Sequence, residues 1–382
     1  MNLLHNTDLI LKTNSTNSKK TIILTNKRYI YKSKVDRLDF SEIRRICTFI
    51  NLIKNKHSLA LAPIVLDLGE IEFVDKLTFV ILECICYDLV VVRDCKLKVI
   101  FNCKHNIYNE GIRFSGLVYL NGVDYNKFVK FFLNHIYDTH YRMVIKSNGK
   151  DTDLAFKVQD IEYFLRNIGI SDEYCDSVSN VVGELIDNAL EHGESDCLVD
   201  IDVTSEYVKN GEEKNDNTYC GINIVVLNFS NKNFGDELKD KFNSIADINK
   251  LPSRYLDVSR AKEEHTKYFD SIYSIDDFYA VASFQNKISG RKKSITGGTG
   301  LTQLIKILED KADDANCYVI FKNKAIKFKK ECLVRDDDEW VGFNKVNNFF
   351  QSAPDKDCYC CSGINMPGMA YNLNIVVEKR ES

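Results

Sequence analysis

The chain has 382 residues, 44% of them hydrophobic and 28% charged, with a net charge of −4. That is room for two domains with ample core, and the charge balance carries no overall basic signature for nucleic acid. The first 20 residues are polar and lack the apolar stretch and small-residue site of an export signal, and the most apolar run, residues 79–92, is broken by Glu83 and Asp88 and is too short for a bilayer, so the chain reads as cytoplasmic with no membrane segment.

In chain order, residues 64–68 (IVLDL) read as a buried strand, followed by residues 71–75 (IEFVD) and a helical stretch from Leu77 to about Val92. Residues 97–101 (LKVIF) read as the next strand. Strand, helix, strand predicts a parallel crossover unit. Residues 126–137 predict a helix with Phe128, Phe131, Phe132 and Ile136 on one face. The cluster Ser147-Asn148-Gly149-Lys150-Asp151 is the clearest boundary. It divides the chain into residues 1–146 and 147–382. A helix over 153–167 opens the second part.

Residues 183–193 (GELIDNALEHG) place a carboxylate, a carboxamide and an imidazole at i, i+4 and i+8. On a helix, Glu184, Asn188 and His192 share a face. Val181, Val182, Leu185, Ile186, Ala189 and Leu190 supply the apolar stripe that faces a core. Glu can act as a base, and Asn can give a hard cation a neutral oxygen. The alternative is an amphipathic helix whose polar face is merely solvated. Residues 222–227 (INIVVL) read as a strand leading into Asn228-Phe229-Ser230.

Further on, Ser294-Ile295-Thr296-Gly297-Gly298-Thr299-Gly300-Leu301 runs into an amphipathic helix over 302–308. Glycines before a helix leave backbone N–H groups free to face an anion, where the helix dipole favours negative charge. Arg291, Lys292 and Lys293 lie just upstream. The alternatives are an ordinary glycine-rich turn and a solvated basic run. Residues 371–377 (YNLNIVV) predict a last strand. The thirteen cysteines are expected as free thiols. Cys358 and Cys361 have Cys-x-x-Cys spacing, with Cys332 upstream, but no second pair accompanies them as a structural zinc site requires. They read as incidental thiols open to oxidation.

The stretch IVLDLGEIEFVDKLTFVIL resembles the STAS domain of anti-sigma-factor antagonists over roughly residues 20–125. Regulatory members of that family carry a phosphorylatable Ser after the second Asp. Here Asp75 is followed by Lys76, Leu77 and Thr78. The resemblance therefore implies an interaction or scaffold module without the usual phosphosite, leaving Thr78 as the nearest hydroxyl. A plain βαβ domain without that kinship is the alternative.

Glu184, Asn188, Ala189 and His192 match the Glu-x-x-x-Asn-Ala-x-x-His box of the GHKL ATPases, and Gly298, Gly300 and Leu301 match that family's Gly-x-Gly-Leu box. The order along the chain agrees, and residues 151–382 resemble the family, most of all its anti-sigma serine kinases. The chain departs from it at the first glycine box, where Asn228 stands for Asp and Ser230 for Gly. It departs again before the last strand, where Pro367-Gly368-Met369 keeps the Gly but not the following Thr. The implied fold is α/β throughout: a STAS-like domain, then an α/β sandwich with a mixed sheet backed by helices and a lid over about residues 234–296. Tyr268, Phe269, Tyr273 and Phe278 predict that the lid is an ordered insertion.

The resemblance implies ATP and Mg²⁺ as ligands. Asn188 would hold the metal and Glu184 would orient or deprotonate the attacking group. His192 would lie near the phosphate end, and Asn228 would face the adenine. Gly297, Gly298, Thr299, Gly300 and Leu301 would wrap the phosphates, with Lys292 or Lys293 closing over them. A sensor histidine kinase is disfavoured, because His135 and His140 lack the acidic and Pro neighbours of a phosphoacceptor. Three readings stay open: an ATPase or serine/threonine protein kinase of the anti-sigma type acting on a protein partner, an ATP-gated clamp, and a non-catalytic interaction protein with a degenerate ATP site. A homodimer fits any of them.

Overall fold

A computed structural model describes residues 6–15, 24–25, 27–56, 59, 63–147, 154–209, 212–215, 218–232, 234–244, 252–288, 300–311 and 316–380. The chain is mixed α/β. It begins with α1 (Asp8–Thr13), β1 (Leu24–Thr25), β2 (Arg28–Lys32), β3 (Arg37–Leu38), α2 (Phe40–Lys56) and β4 (Ile64–Phe73). Next come α3 (Lys76–Tyr87), a π-helical turn over Asp88–Val92, β5 (Leu97–Cys103) and α4 (Tyr125–Leu133). Strand β4 is central, with β5 parallel along one edge and β2 and β3 parallel along the other. The expected strand, helix, strand unit is therefore present. The run at 64–68 continues as one strand through Phe73, past a break in register at Gly69, whose φ is +66°.

The predicted helix over 126–137 ends early. Helix α4 stops at Leu133, and Asn134–Tyr137 turns into β6, an edge strand paired with β7 (His140–Ile145). The aromatic spacing is helical as far as Phe132, which is fully buried, whereas Ile136 is 61% exposed and contributes nothing to that face. Strands β6 and β7 belong to a second, six-stranded sheet. The structural change-over thus falls at 133–134, ahead of the polar cluster at 147–151.

The second part contains α5 (Leu154–Asn167), α6 (Asp172–Asp187), β8 (Cys197–Thr204), a hairpin of β9 (Glu206–Lys209) and β10 (Glu212–Asn215), and β11 (Tyr219–Asn228). It continues with α7 (Asp236–Ser244), α8 (Ser253–His265), α9 (Ile275–Ala282), α10 (Gly300–Lys311), β12 (Tyr318–Lys327) and β13 (Tyr359–Glu378). The second sheet runs β12-β13-β11-β8-β7-β6 with every neighbour antiparallel, so it is not the mixed sheet expected for this part of the chain. Its central strands β8 and β11 are buried on both faces. Along β11, Ile222, Ile224 and Val226 face the core that holds Val182 and Leu185, while Val225 and Leu227 face the core that holds Phe79 and Ile81. Side chains alternate across a strand, so a two-sided sheet needs a continuous apolar run, which this strand has.

Helix α3 lies between the two sheets and is buried along its whole length. A helix buried all round must be apolar all round, and the two charges that break its pattern are matched. Glu83 accepts from Arg142 Nη2 at 2.5 Å and from Ser115 Oγ at 2.6 Å. Asp88, in the following turn, pairs with Arg93. Asp75 caps the helix, accepting from Thr78 N at 2.9 Å, and Thr78 donates its hydroxyl to Asp75 O at 2.7 Å. Thr78 is fully buried in this capping box and is no accessible hydroxyl.

The first turn of α3 docks on a polar band that crosses all six strands of the second sheet. Tyr318 on β12 donates to Asp75 Oδ2 at 2.6 Å, and Leu77 N donates to Asn372 Oδ1 on β13 at 3.1 Å. Lys76, fully buried, pairs with Asp200 and Asp202 on β8. Asn223 on β11 donates to Asp202 Oδ2 at 2.8 Å. On β7, Arg142 and His140 both bind Asp200, and His135 on β6 contacts His140 at 2.5 Å. Burial alone would lower the Lys76 ammonium, but Asp200 and Asp202 outweigh it and hold it charged. Burial works against the Asp200 carboxylate in the same way, and Arg142, Lys76 and His140 still keep it well below the usual range.

Residues 234–244 and 252–288 carry helices α7, α8 and α9. Tyr273 and Phe278 are buried, and His265 bridges Tyr273 Oη at 2.9 Å and the Phe349 carbonyl at 2.7 Å. All thirteen cysteines are free thiols. Among the described residues no helix is long and apolar enough to cross a membrane.

Candidate functional site

The helix expected across 183–193 is α6 up to Asp187, and then a π-helical turn over Asn188–His192. The Gly193 N–H donates to the Asn188 carbonyl at 3.1 Å, the five-residue spacing that defines such a turn. Wide turns of this kind are rare and concentrate at functional sites. Val181, Val182, Leu185, Ile186 and Ala189 are buried as predicted. Glu184, Asn188 and His192 are half-buried along the opposite side. The Asn188 side chain makes no hydrogen bond among the described residues, so its carbonyl oxygen is available to a ligand.

Asn228 ends β11 beside this turn. It is 2% exposed. Its Nδ2 donates to Ser195 Oγ at 3.1 Å, and its Oδ1 accepts from Met369 N at 2.9 Å. A carbonyl oxygen accepts two hydrogen bonds, so one lone pair of Oδ1 stays in hand. Two glycines make room for the amide. A Cβ on Gly193 would collide with Asn228 Nδ2 and lie 2.5 Å from the Ala189 carbonyl. A Cβ on Gly368, whose φ is +88°, would lie 2.5 Å from the Asn228 carbonyl oxygen and 2.9 Å from Ser230 N. The Ser230 hydroxyl donates to the Gly193 carbonyl at 2.6 Å and so ties the end of β11 to the π-turn.

His192 Nδ1 is hydrogen-bonded to Glu237 Oε2 on α7. Lys232 bridges Glu194 at 2.6 Å and Glu237 at 3.9 Å. This links the π-turn to α7, and both Glu237 and Lys232 were missed in the sequence. Nothing in their local pattern marks them, since only the fold brings residue 237 to residue 192. Ser195 and Gly193 were legible in hindsight, as small residues where the turn must pass close to a strand end.

Helix α10 begins at Gly300 and packs against α6, with Leu304, Ile305 and Leu308 in the same core as Val182 and Leu185. Gly300 and Leu301 are therefore placed at the start of that helix. Lys292, Lys293, Gly297, Gly298 and Thr299 lie outside the described residues. Among the described residues no group of three or more His, Cys, Asp or Glu could hold a metal ion. Magnesium does not require one, because it usually takes one or two protein oxygens and completes its shell with phosphate and water. The open amide of Asn188 beside Glu184 fits that pattern. Cys358 is buried and Cys361 exposed, and both are free thiols.

Compared with protein-family models, with curated proteins and with solved structures, the chain matches none.

Proposed function

We propose that this chain is a cytoplasmic Mg-ATP-binding regulator of the GHKL type, acting as an ATPase or a serine/threonine protein kinase on a protein partner, with an N-terminal STAS-like module docked on the back of its sheet. One observation carries the reading: Glu184, Asn188 and His192 are half-buried along a helix that widens into a π-turn, Asn228 lies beside that turn, and α10 packs on the same helix. A helix-backed sheet whose helix begins at Gly300, just after Gly297 and Gly298 in the sequence, suits a phosphate cradle. Bound Mg²⁺ would neutralise phosphate charge. Asn188 would hold it through Oδ1, Glu184 would orient or deprotonate the attacking hydroxyl or water, and Asn228 would accept from the base amino group through its second lone pair. Dimerisation belongs to the same proposal, and light scattering with and without nucleotide tests it.

A second reading has its own support. Asn228 lacks the charge of the family's Asp, and its amide is already engaged by Ser195 and Met369. That favours a nucleotide-gated or degenerate site without turnover. Calorimetry with ATP, with and without Mg²⁺, on wild type and Asn188→Ala is the first test. Magnesium-dependent binding that is lost in the variant supports the site, and the absence of binding by folded wild type removes it. Release or transfer of labelled γ-phosphate by wild type but not by Glu184→Gln then separates catalysis from gating.

A further inference from the structure

The end of β11 is shared between two cores. Asn228 and Ser230 point toward Ser195 and the Gly193 carbonyl. Phe229, between them, points the other way and is fully buried among N-terminal residues that include Ile10 and Leu11. The Phe229 carbonyl accepts from Asn6 Nδ2 at 3.1 Å. On the neighbouring strand, Asn14 pairs with the backbone of Asn365 in both directions, with Nδ2 donating to its carbonyl and Oδ1 accepting from its N–H, each at 2.9 Å. Thr13 donates to the same carbonyl at 3.0 Å. Two residues further on, the Pro367 carbonyl accepts from Ser230 N at 3.4 Å, and Met369 N then fixes Asn228 Oδ1. Both backbone segments that hold Asn228 are thus gripped from behind by residues 6–14.

That short segment is itself anchored. A helix of six residues has no stability alone. Ile10 and Leu11 are fully buried, Asn51 donates to the Leu11 carbonyl, and Thr7 donates to Asp88 at 3.4 Å. The segment connects the N-terminal module to the wall on which Asn228 sits.

We propose that residues 6–14 are an internal strut, with Asn14 and Asn6 as positioning residues that set base selectivity at the candidate nucleotide site. The inference rests on reading Asn228 as the base-facing residue. Its chemistry lies in the two ends of a carboxamide. Adenine offers an amino group and needs the Oδ1 acceptor. Guanine offers a carbonyl at that position and would need the Nδ2 donor. Met369 N keeps Oδ1 in place only while the 365–369 backbone holds its register. Without the strut, the amide can turn over and the two bases become more nearly equivalent.

The test is calorimetry with MgATP and MgGTP on the full chain, comparing wild type, Asn14→Ala, Asn6→Ala and the core control Ile53→Val. Both Asn variants are expected to lose about tenfold in ATP affinity and to bring the ATP/GTP ratio toward unity, while Ile53→Val lowers the unfolding midpoint and leaves both affinities unchanged. If Asn14→Ala fails to fold, Asn6→Ala carries the test, since it removes a single partly buried bond. Wild-type affinities and ratio in a folded Asn variant would overturn the strut alone. No binding of either nucleotide by wild type overturns the functional reading and the strut together.

Discussion

Lys76 pairs with Asp202 across 126 residues of sequence, and through it the first turn of an N-terminal helix is bolted to the second sheet. The ammonium is fully buried, and Asp200 shares it. Buried ion pairs add little net stability, but removing one partner leaves the other charged and unsolvated. Lys76→Met should therefore destabilise the chain by about 3–5 kcal/mol, read from urea unfolding. Lys76→Met combined with Asp202→Asn should recover part of that loss. Additive losses in the double variant would mean that the two side chains are not coupled.

The same polar band makes stability depend on acid. His135 lies against His140 through Nε2 and against the Phe131 carbonyl through Nδ1 at 2.8 Å, with Arg142 and Asp200 near enough to act on its charge. Burial first, then the nearby His140 and Arg142, lower its imidazole to about 4, against an ordinary value near 6.5. A base with a depressed folded value stays neutral in the folded chain while the unfolded chain takes up a proton. Its contribution is complete above pH about 6.5 and is lost as pH falls toward 4. Urea midpoints between pH 7.5 and 4.5 should fall less steeply for His135→Gln than for wild type. Parallel curves for the two proteins would exclude His135 as the source.

Gly193 and Gly368 flank Asn228 with no room to spare. Gly193→Ala forces a methyl into the Asn228 amide, and Gly368→Ala adds the strain of a side chain at φ +88°. Each should cost about 1–3 kcal/mol of stability. Each should also weaken ATP binding more than an equally destabilising change at Ile53. Calorimetry on the folded variants checks this, and unchanged affinity in both would detach Asn228 from the nucleotide.

Much of this architecture was legible because it is local. The apolar runs at 64–68, 97–101 and 222–227 are strands, and the stripe through Val182, Leu185 and Ala189 is a buried helical face. What stayed hidden depends on distant residues meeting. Nothing around Lys76 says that its charge is matched by Asp200, and nothing around Glu237 says that it reaches His192. The break at Asn134 was hidden for the same reason, since β7, not the local aromatic pattern, decides that residues 134–137 extend. The π-turn was not foreseen either, because a spacing of four fits an α-helix and its widened continuation alike.

Asn228 is the residue at which the candidate site departs most from the pattern it resembles, and Asn228→Asp restores the charge. The carboxylate would keep the bond from Met369 N, but Ser195 would have to turn its hydroxyl from the Asp196 carbonyl, 3.2 Å away, to donate to it instead. A carboxylate at a position 2% exposed also loses its hydration. The unliganded variant should therefore be less stable by about 1–3 kcal/mol. A base amino group offers that carboxylate a charge-assisted bond, stronger than the neutral one by about 1 kcal/mol. Affinity for ATP should rise about fivefold, and saturating ATP should raise the melting temperature more in the variant than in wild type. An unchanged or weaker affinity, measured on folded Asn228→Asp, would show that the base is not held at this residue.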